Sequence, residues 1–189
     1  FTAPSDVKDT TFLVHKHVVA GVDDERTLYI LESDQFKEIS FREKRGKFLG
    51  SDLLYEEVSG RNITNDLPVL IDVTDEHYVL RSNQRGFDIF GEFPKNLEGC
   101  GFVYYTSYID RKNFLPMKTL FWWGTIRRVI KTERIEVIQG HPTIVQFSIT
   151  DNQSRSKTVL ELSNIEYDSG LDDAIFSKAS LRNPPKEMN

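Results

Sequence analysis

Two histidines, His15 and His17, stand two residues apart in the run Thr10 to Val19, TTFLVHKHVV. In an extended strand that spacing puts both rings on one face, where paired imidazoles can chelate a transition metal. A metal site needs further ligands. The remaining histidines, His77 and His141, are distant in sequence, and the single Cys100 lies between two glycines. Solvated strand histidines are the simpler reading, and no metal is expected. Carboxylates gather at Asp23-Asp24-Glu25 and at Asp172-Asp173, the raw material of acid–base catalysis. Adjacent carboxylates in a turn point apart, however, and Asp favours turns because it bonds its own backbone. Gly50-Ser51-Asp52 could present a nucleophile, but Ser51 or Asp52 fits better as the cap of a brief helix through Val58. No Gly-x-Ser-x-Gly elbow, phosphate-cradling glycine loop or paired-cysteine motif occurs. The expectation is a protein that is not an enzyme and holds no cofactor.

Composition narrows the classes further. The net charge of −5 and the small basic groups, Arg42, Lys44, Arg45, Lys47 and Arg127, Arg128, Lys131, each beside acidic residues, argue against a nucleic-acid partner. One cysteine cannot form an internal disulfide. No run approaches the roughly 18 apolar residues of a membrane-spanning helix, and no signal peptide is visible. Aromatic residues are abundant, with 13 Phe and 7 Tyr, which suits a pleated surface and equally the lining of a binding cavity.

The elements that must position these residues are mostly strands. Thr10 to Val19 and Arg26 to Leu31 read as a hairpin around Gly21-Val-Asp-Asp24. Phe36 to Phe41, Val69 to Val73, His77 to Ser82, Phe102 to Asp110 and Met117 to Trp123 follow, with Gly86 to Gly101 as an irregular connection. Thr125 to Ile138 is a long strand expected to bend near Glu133, and Lys157 to Tyr167 is the last long strand. Thr143 to Thr150 shows the cleanest alternation, with Val145, Phe147 and Ile149 on one face. Leu171 to Phe176 reads as a short helical turn. A twisted meander of this length curls until it closes or nearly closes. The fold class expected is mainly β: one antiparallel meander curled into an incomplete, half-open barrel, with one or two short helices packed in its concave side.

The run Phe48 to Val58, FLGSDLLYEEV, resembles the signature of the outer-membrane lipoprotein-sorting-like family, relatives of the periplasmic lipoprotein carrier LolA. The opening Phe1-Thr-Ala-Pro-Ser-Asp-Val-Lys8, the strand Leu28-Tyr-Ile-Leu31 and the segment Tyr108-Ile-Asp-Arg-Lys-Asn-Phe-Leu-Pro-Met-Lys118 are similar to further motifs of that family. So are Thr158 with Leu160, Tyr167, Gly170-Leu171, Phe176 and Leu181. The likeness runs through the whole chain, as a single domain over residues 1–189. The family's opening helix and first strand or strands have no counterpart here, and its Val-Lys-Gly-Thr reads Val7-Lys8-Asp9-Thr10. The resemblance implies a periplasmic, non-catalytic carrier that holds the acyl chains of a lipoprotein or a lipid within a curved sheet. It also implies exchange with an inner-membrane permease or an outer-membrane acceptor. An envelope sensor or scaffold that binds a partner protein through the sheet edge or the convex face is the alternative.

If the Val145-Phe147-Ile149 face points inward, the expected lining comprises Phe12, Val14, Leu28, Ile30, Tyr104, Leu120, Trp122, Leu160 and Leu162 beside those three residues. Leu53, Leu54 and Tyr55 would form the movable lid. Trp122 and Trp123 must face opposite ways. Asn62-Ile-Thr64 and Asn152-Gln-Ser154 are formal glycosylation sequons, without meaning in a bacterial envelope protein.

Overall fold

The computed structural model describes residues 10–17, 19, 22–41, 43–60, 66–84 and 104–183. Ten strands dominate it: β1 (Thr11–His15), β2 (Glu25–Ile30), β3 (Gln35–Glu38), β4 (Asp66–Val73), β5 (His77–Gln84), β6 (Tyr104–Asp110), β7 (Pro116–Trp123), β8 (Thr125–Ile138), β9 (His141–Asp151) and β10 (Ser156–Glu161). Two short helices, α1 (Tyr55–Val58) and α2 (Lys178–Arg182), complete the regular structure. All pairing is antiparallel and within each sheet every strand neighbours the next in sequence, so the meander read from the alternation is present. It is divided into a three-stranded sheet, β1-β2-β3, and a seven-stranded sheet running from β4 to β10. β4 and β10 occupy opposite edges of the larger sheet and do not pair, which leaves the barrel incomplete. By their contacts the residues form two compact units. One comprises Phe1–Leu49, Leu54–Arg61 and Asp168–Asn189; the other comprises Gly50–Leu53 and Asn62–Tyr167.

In the first unit the small sheet is covered on both faces by its own chain. Leu13 and Tyr29 bury against Leu181 of α2 on one side. Phe12 and Leu28, a directly opposed pair, share the other. There Phe12 meets the rings of Phe48 and Tyr55 at 5.4 and 6.0 Å, and those two rings pack nearly edge-on at 5.1 Å. α1 is shorter than the sequence suggests and begins at Tyr55. Leu54 is extended (φ −96°, ψ 153°) and forms an antiparallel bridge with Lys47, so helical backbone cannot start before Tyr55. Glu57 accepts from the Leu54 amide at 2.8 Å, so neither Ser51 nor Asp52 caps α1. The closing helical turn is a 3-10 turn at Asp173–Ile175, capped by Asp172, and α2 follows it with Ser177 as cap.

In the second unit β8 carries register shifts between Thr132 and Arg134 and between Arg134 and Ile135, where the bend was expected. β10 stops at Glu161, well short of Tyr167. The Tyr167 amide and hydroxyl bond Gln139 and Thr143 instead. The irregular connection 86–101, Cys100 and the first sequon fall outside the described residues. Among the described residues no helix is long and apolar enough to cross a membrane.

Candidate ligand-binding face of the larger sheet

Directly opposed residues in neighbouring antiparallel strands project from the same face. Following those pairs across the second unit traces one unbroken row: Leu70, Leu80, Ser107, Thr119, Ile130, Ile149 and Thr158. A second row on that face runs Pro68, Ser82, Tyr105, Phe121, Arg128, Asp151 and Ser156. Phe147 and Leu160 oppose each other on the same face, and Val145 lies on it by alternation.

Burial along the first row is graded. Ile149 is 0% exposed and Val145 2%, so this end is solid core. Leu80 is half-buried, and Leu70, on the edge strand β4, is 54% exposed. The two hydroxyls between them do not interrupt the row with unmet polarity, since Ser107 and Thr119 bond each other at 3.2 Å. β4 exposes more than Leu70. Leu67, Val69, Ile71 and Val73 are each between 39% and 59% exposed, so five large aliphatics in one short strand meet solvent. They do not share one face: Leu67 and Val69 alternate with Pro68 and Leu70, and Val73, opposite Tyr78, returns to the traced side after the slip between Leu70 and Asp72. On the traced side Leu70 and Val73 are the exposed aliphatics, which leaves that edge open to an apolar partner.

The buried end is closed by Gly50–Leu53, held by Asp52. The Asp52 carboxylate accepts from Ser156 Oγ at 2.5 Å and Thr158 Oγ1 at 3.0 Å. Its amide donates to Thr158 Oγ1 at 3.0 Å, and its carbonyl accepts from Arg128 Nη2 at 2.6 Å. Asp52 is 4% exposed and Arg128 5%. A buried carboxylate with this many partners is an anchor, since leaving such groups unmet is costly. Asp52 does not cap a helix, contrary to what the segment's composition suggested. Its true partners lie more than a hundred residues away, beyond any local signal.

The expected lining does not gather in one place. Val145, Phe147, Ile149 and Leu160 share the face just described. Tyr104, Leu120 and Trp122 project from the opposite face, because their neighbours Tyr105, Thr119 and Phe121 belong to the traced rows. On that opposite face Trp122 stacks on Tyr104 at 5.7 Å, and its buried indole N–H has no hydrogen-bond partner among the described residues. Leu162 follows β10, is 42% exposed, and donates its amide to the Val145 carbonyl. Leu53 is buried within the second unit. Phe12, Val14, Leu28, Ile30, Leu54 and Tyr55 belong to the first unit. Leu70 and Leu80 were not expected as site residues, although their strands were read from the sequence.

The groups that suggested catalysis or metal binding have other employment. Arg26, 2% exposed at its side chain, bridges Asp24 at 2.9 Å and Asp23 at 3.2 Å, and Lys44 reaches Asp23 at 2.7 Å. Burial pushes the Asp23 carboxyl up, but Lys44 and Arg26 outweigh it and hold it below its ordinary value. His15 Nε2 lies 2.8 Å from the Phe176 carbonyl, and both histidines flank Glu25. Among the described residues no three metal-ligating side chains cluster. Ser51 Oγ accepts from the Leu53 amide rather than standing free as a nucleophile.

A family model described as an uncharacterized protein matches residues 1–183. The chain belongs to that family. Its fold is shared by three solved structures. A DUF1329 family protein from Desulfovibrio piger is 23% identical with a TM-score of 0.80, covering 96% of this chain and 74% of that one. An outer membrane lipoprotein-sorting protein domain from Vibrio parahaemolyticus is 24% identical with a TM-score of 0.79, covering 96% and 75%. A LolA superfamily protein from Nitrosomonas europaea is 18% identical with a TM-score of 0.66, covering 94% and 74%. The likeness to lipoprotein-sorting and LolA-like proteins read from the motifs is therefore present in the fold. No curated protein matches the chain.

Proposed function

We propose that the protein is a non-catalytic carrier of the bacterial periplasm that holds acyl chains of a lipoprotein or lipid against the open side of its larger sheet. The observation that supports this reading is the row on one face: dry core at Ile149, and at the far edge the exposed aliphatics Leu70 and Val73. Such a row offers an acyl chain an apolar track that begins in solvent and ends against packed core. Each methylene removed from water is worth about 0.8 kcal/mol, so a long chain contributes roughly 10 kcal/mol before ordering costs. Asp52 holds the covering segment at the closed end, so the bound chain meets a fixed stop. On this reading residues 1–189 act as one LolA-like domain. Val145, Phe147, Ile149 and Leu160 form the floor and back wall, with Leu70 and Leu80 at the entrance. A membrane permease or outer-membrane acceptor would supply and receive the ligand.

The alternative, a scaffold that recruits a protein strand at the sheet edge, fits β4 less well. Pro68 removes a backbone donor and the register slips between Leu70 and Asp72. Both features are devices that discourage edge pairing. The test is titration of the purified protein with a fluorescent fatty-acid analogue. Saturable uptake that drops in Leu70→Asp, with an unchanged circular-dichroism spectrum, is expected. Uptake that is indifferent to that substitution removes β4 from the account.

A further inference from the structure

A second, chemically different site lies where the β7–β8 turn meets the β9–β10 turn. Trp123, Thr125, Ile126, Arg127, Asn152 and Gln153 line a cleft of about 300 Å³. Two tight turns build its walls: Gly124, with φ at 70°, closes one hairpin, and residues 152–155 close the other, with Arg155 left-handed at 56°. Hydrogen bonds lock the two turns together. The Asn152 amide donates to the Arg127 carbonyl at 2.8 Å, and its side-chain Nδ2 donates to the Ile126 carbonyl at 2.9 Å. Asp151 Oδ1 accepts from the Gln153 and Ser154 amides and fixes the second turn.

Arg127 is the residue for which this frame has no internal use. The β7–β8 register passes from Phe121↔Arg128 to Trp122↔Ile126, so Arg127 is the extra residue of a β-bulge. Bulges re-aim a side chain away from the sheet's alternation and are concentrated beside functional sites. Its immediate neighbour in sequence, Arg128, is spent on the Asp52 carbonyl and on Phe121. Among the described residues neither an acid nor a carbonyl meets the half-buried Arg127 guanidinium. A cation with no counter-charge among the described residues, in a cleft of a protein whose net charge is −5, is a place for an anion from outside. The planar guanidinium fits a carboxylate or a phosphate with two parallel hydrogen bonds. Beside it the half-buried Trp123 indole supplies a flat apolar wall, and Gln153 and Thr125 supply polar groups at the rim.

We infer that this cleft binds a sugar-sized ring bearing one anionic group, the anion on Arg127 and the ring against Trp123. The site is independent of the acyl-chain reading, and either can fail alone. The test is calorimetric titration of the full chain with glucuronate, glucose 1-phosphate, glucose and inorganic phosphate, in low salt. Saturable binding of glucuronate or of glucose 1-phosphate is expected, and whichever binds names the anion. Arg127→Gln should weaken it about tenfold or more, while Arg127→Lys retains part of it. Trp123→Ala should weaken the ring-bearing ligand and leave inorganic phosphate unaffected. Circular dichroism and thermal unfolding of the two Arg127 variants should match the parent, since that side chain bonds nothing among the described residues, and Trp123→Ala is read at a temperature where circular dichroism shows it folded. The inference is overturned if neither acid binds, if glucose binds as well as they do, or if Arg127→Gln binds undiminished. Inorganic phosphate binding as tightly as glucose 1-phosphate overturns the ring's part in recognition.

Discussion

Replacing Asp52 with Ala tests whether the covering segment is truly anchored on the larger sheet. The substitution removes the acceptor for two hydroxyl donors, Ser156 Oγ and Thr158 Oγ1, at a position 4% exposed. A buried donor left unmet costs about 1–3 kcal/mol, which sets a range of about 2–6 kcal/mol for the pair. The lower part of that range is expected. Ser154 Oγ lies 2.6 Å from Ser156 Oγ and can take its proton, and the backbone bond from Arg128 to the residue-52 carbonyl survives the change. Urea unfolding should therefore show a loss of about 2–3 kcal/mol, with an unchanged slope. Adding Ser156→Ala to the same chain removes that stranded donor, while Thr158 is kept because its Oγ1 still accepts the residue-52 amide. The double variant should be no less stable than Asp52→Ala alone. A loss below about 0.5 kcal/mol for Asp52→Ala, or a double variant that is further destabilised, refutes the reasoning.

Three further outcomes are expected. Leu70→Asp should leave unfolding within about 0.5 kcal/mol of the parent, as surface changes do, while uptake of the fatty-acid analogue falls; equal uptake at equal stability contradicts the role given to β4. Leu181→Ala should cost about 2–4 kcal/mol by opening a hole against Leu13 and Tyr29, read by chemical denaturation; a smaller effect means α2 is not packed there. Asp23 has a carboxyl held below its ordinary value of 3.8. Its contribution is complete above that value and disappears as pH falls below it through the folded value. Acid unfolding followed from neutrality to about pH 2 should accordingly be less steep in Asp23→Asn, and a parallel curve disproves the linkage.

Much of this fold was legible because strands announce themselves by alternation. Val145, Phe147 and Ile149 share a face as their spacing required, and the bend near Glu133 falls where two register shifts occur. What the pattern could not carry was phase between strands. Alternation says that Trp122 and Trp123 face opposite ways, but not which of them shares a side with Ile149. Each bulge resets the count, and one sits between Phe121 and Trp122. Tyr104, Leu120 and Trp122 were therefore grouped with residues from which the sheet itself separates them. Long-range polar partners were hidden for a similar reason. Nothing local to Gly50-Ser51-Asp52 signals Ser156 or Thr158, so the cap of a nearby helix was the natural reading. The exposed aliphatics of β4 were visible as a strand, but exposure is a property of neighbours and has no signature in Val69 to Val73 alone.

The central claim, that the open face carries an acyl chain, is tested most directly by native mass spectrometry of the protein after incubation with a diacyl phospholipid. A discrete one-to-one adduct that survives mild activation and is displaced by excess fatty acid is expected. A spectrum of bare protein, or a ladder of non-stoichiometric adducts matched by Leu70→Asp, contradicts it.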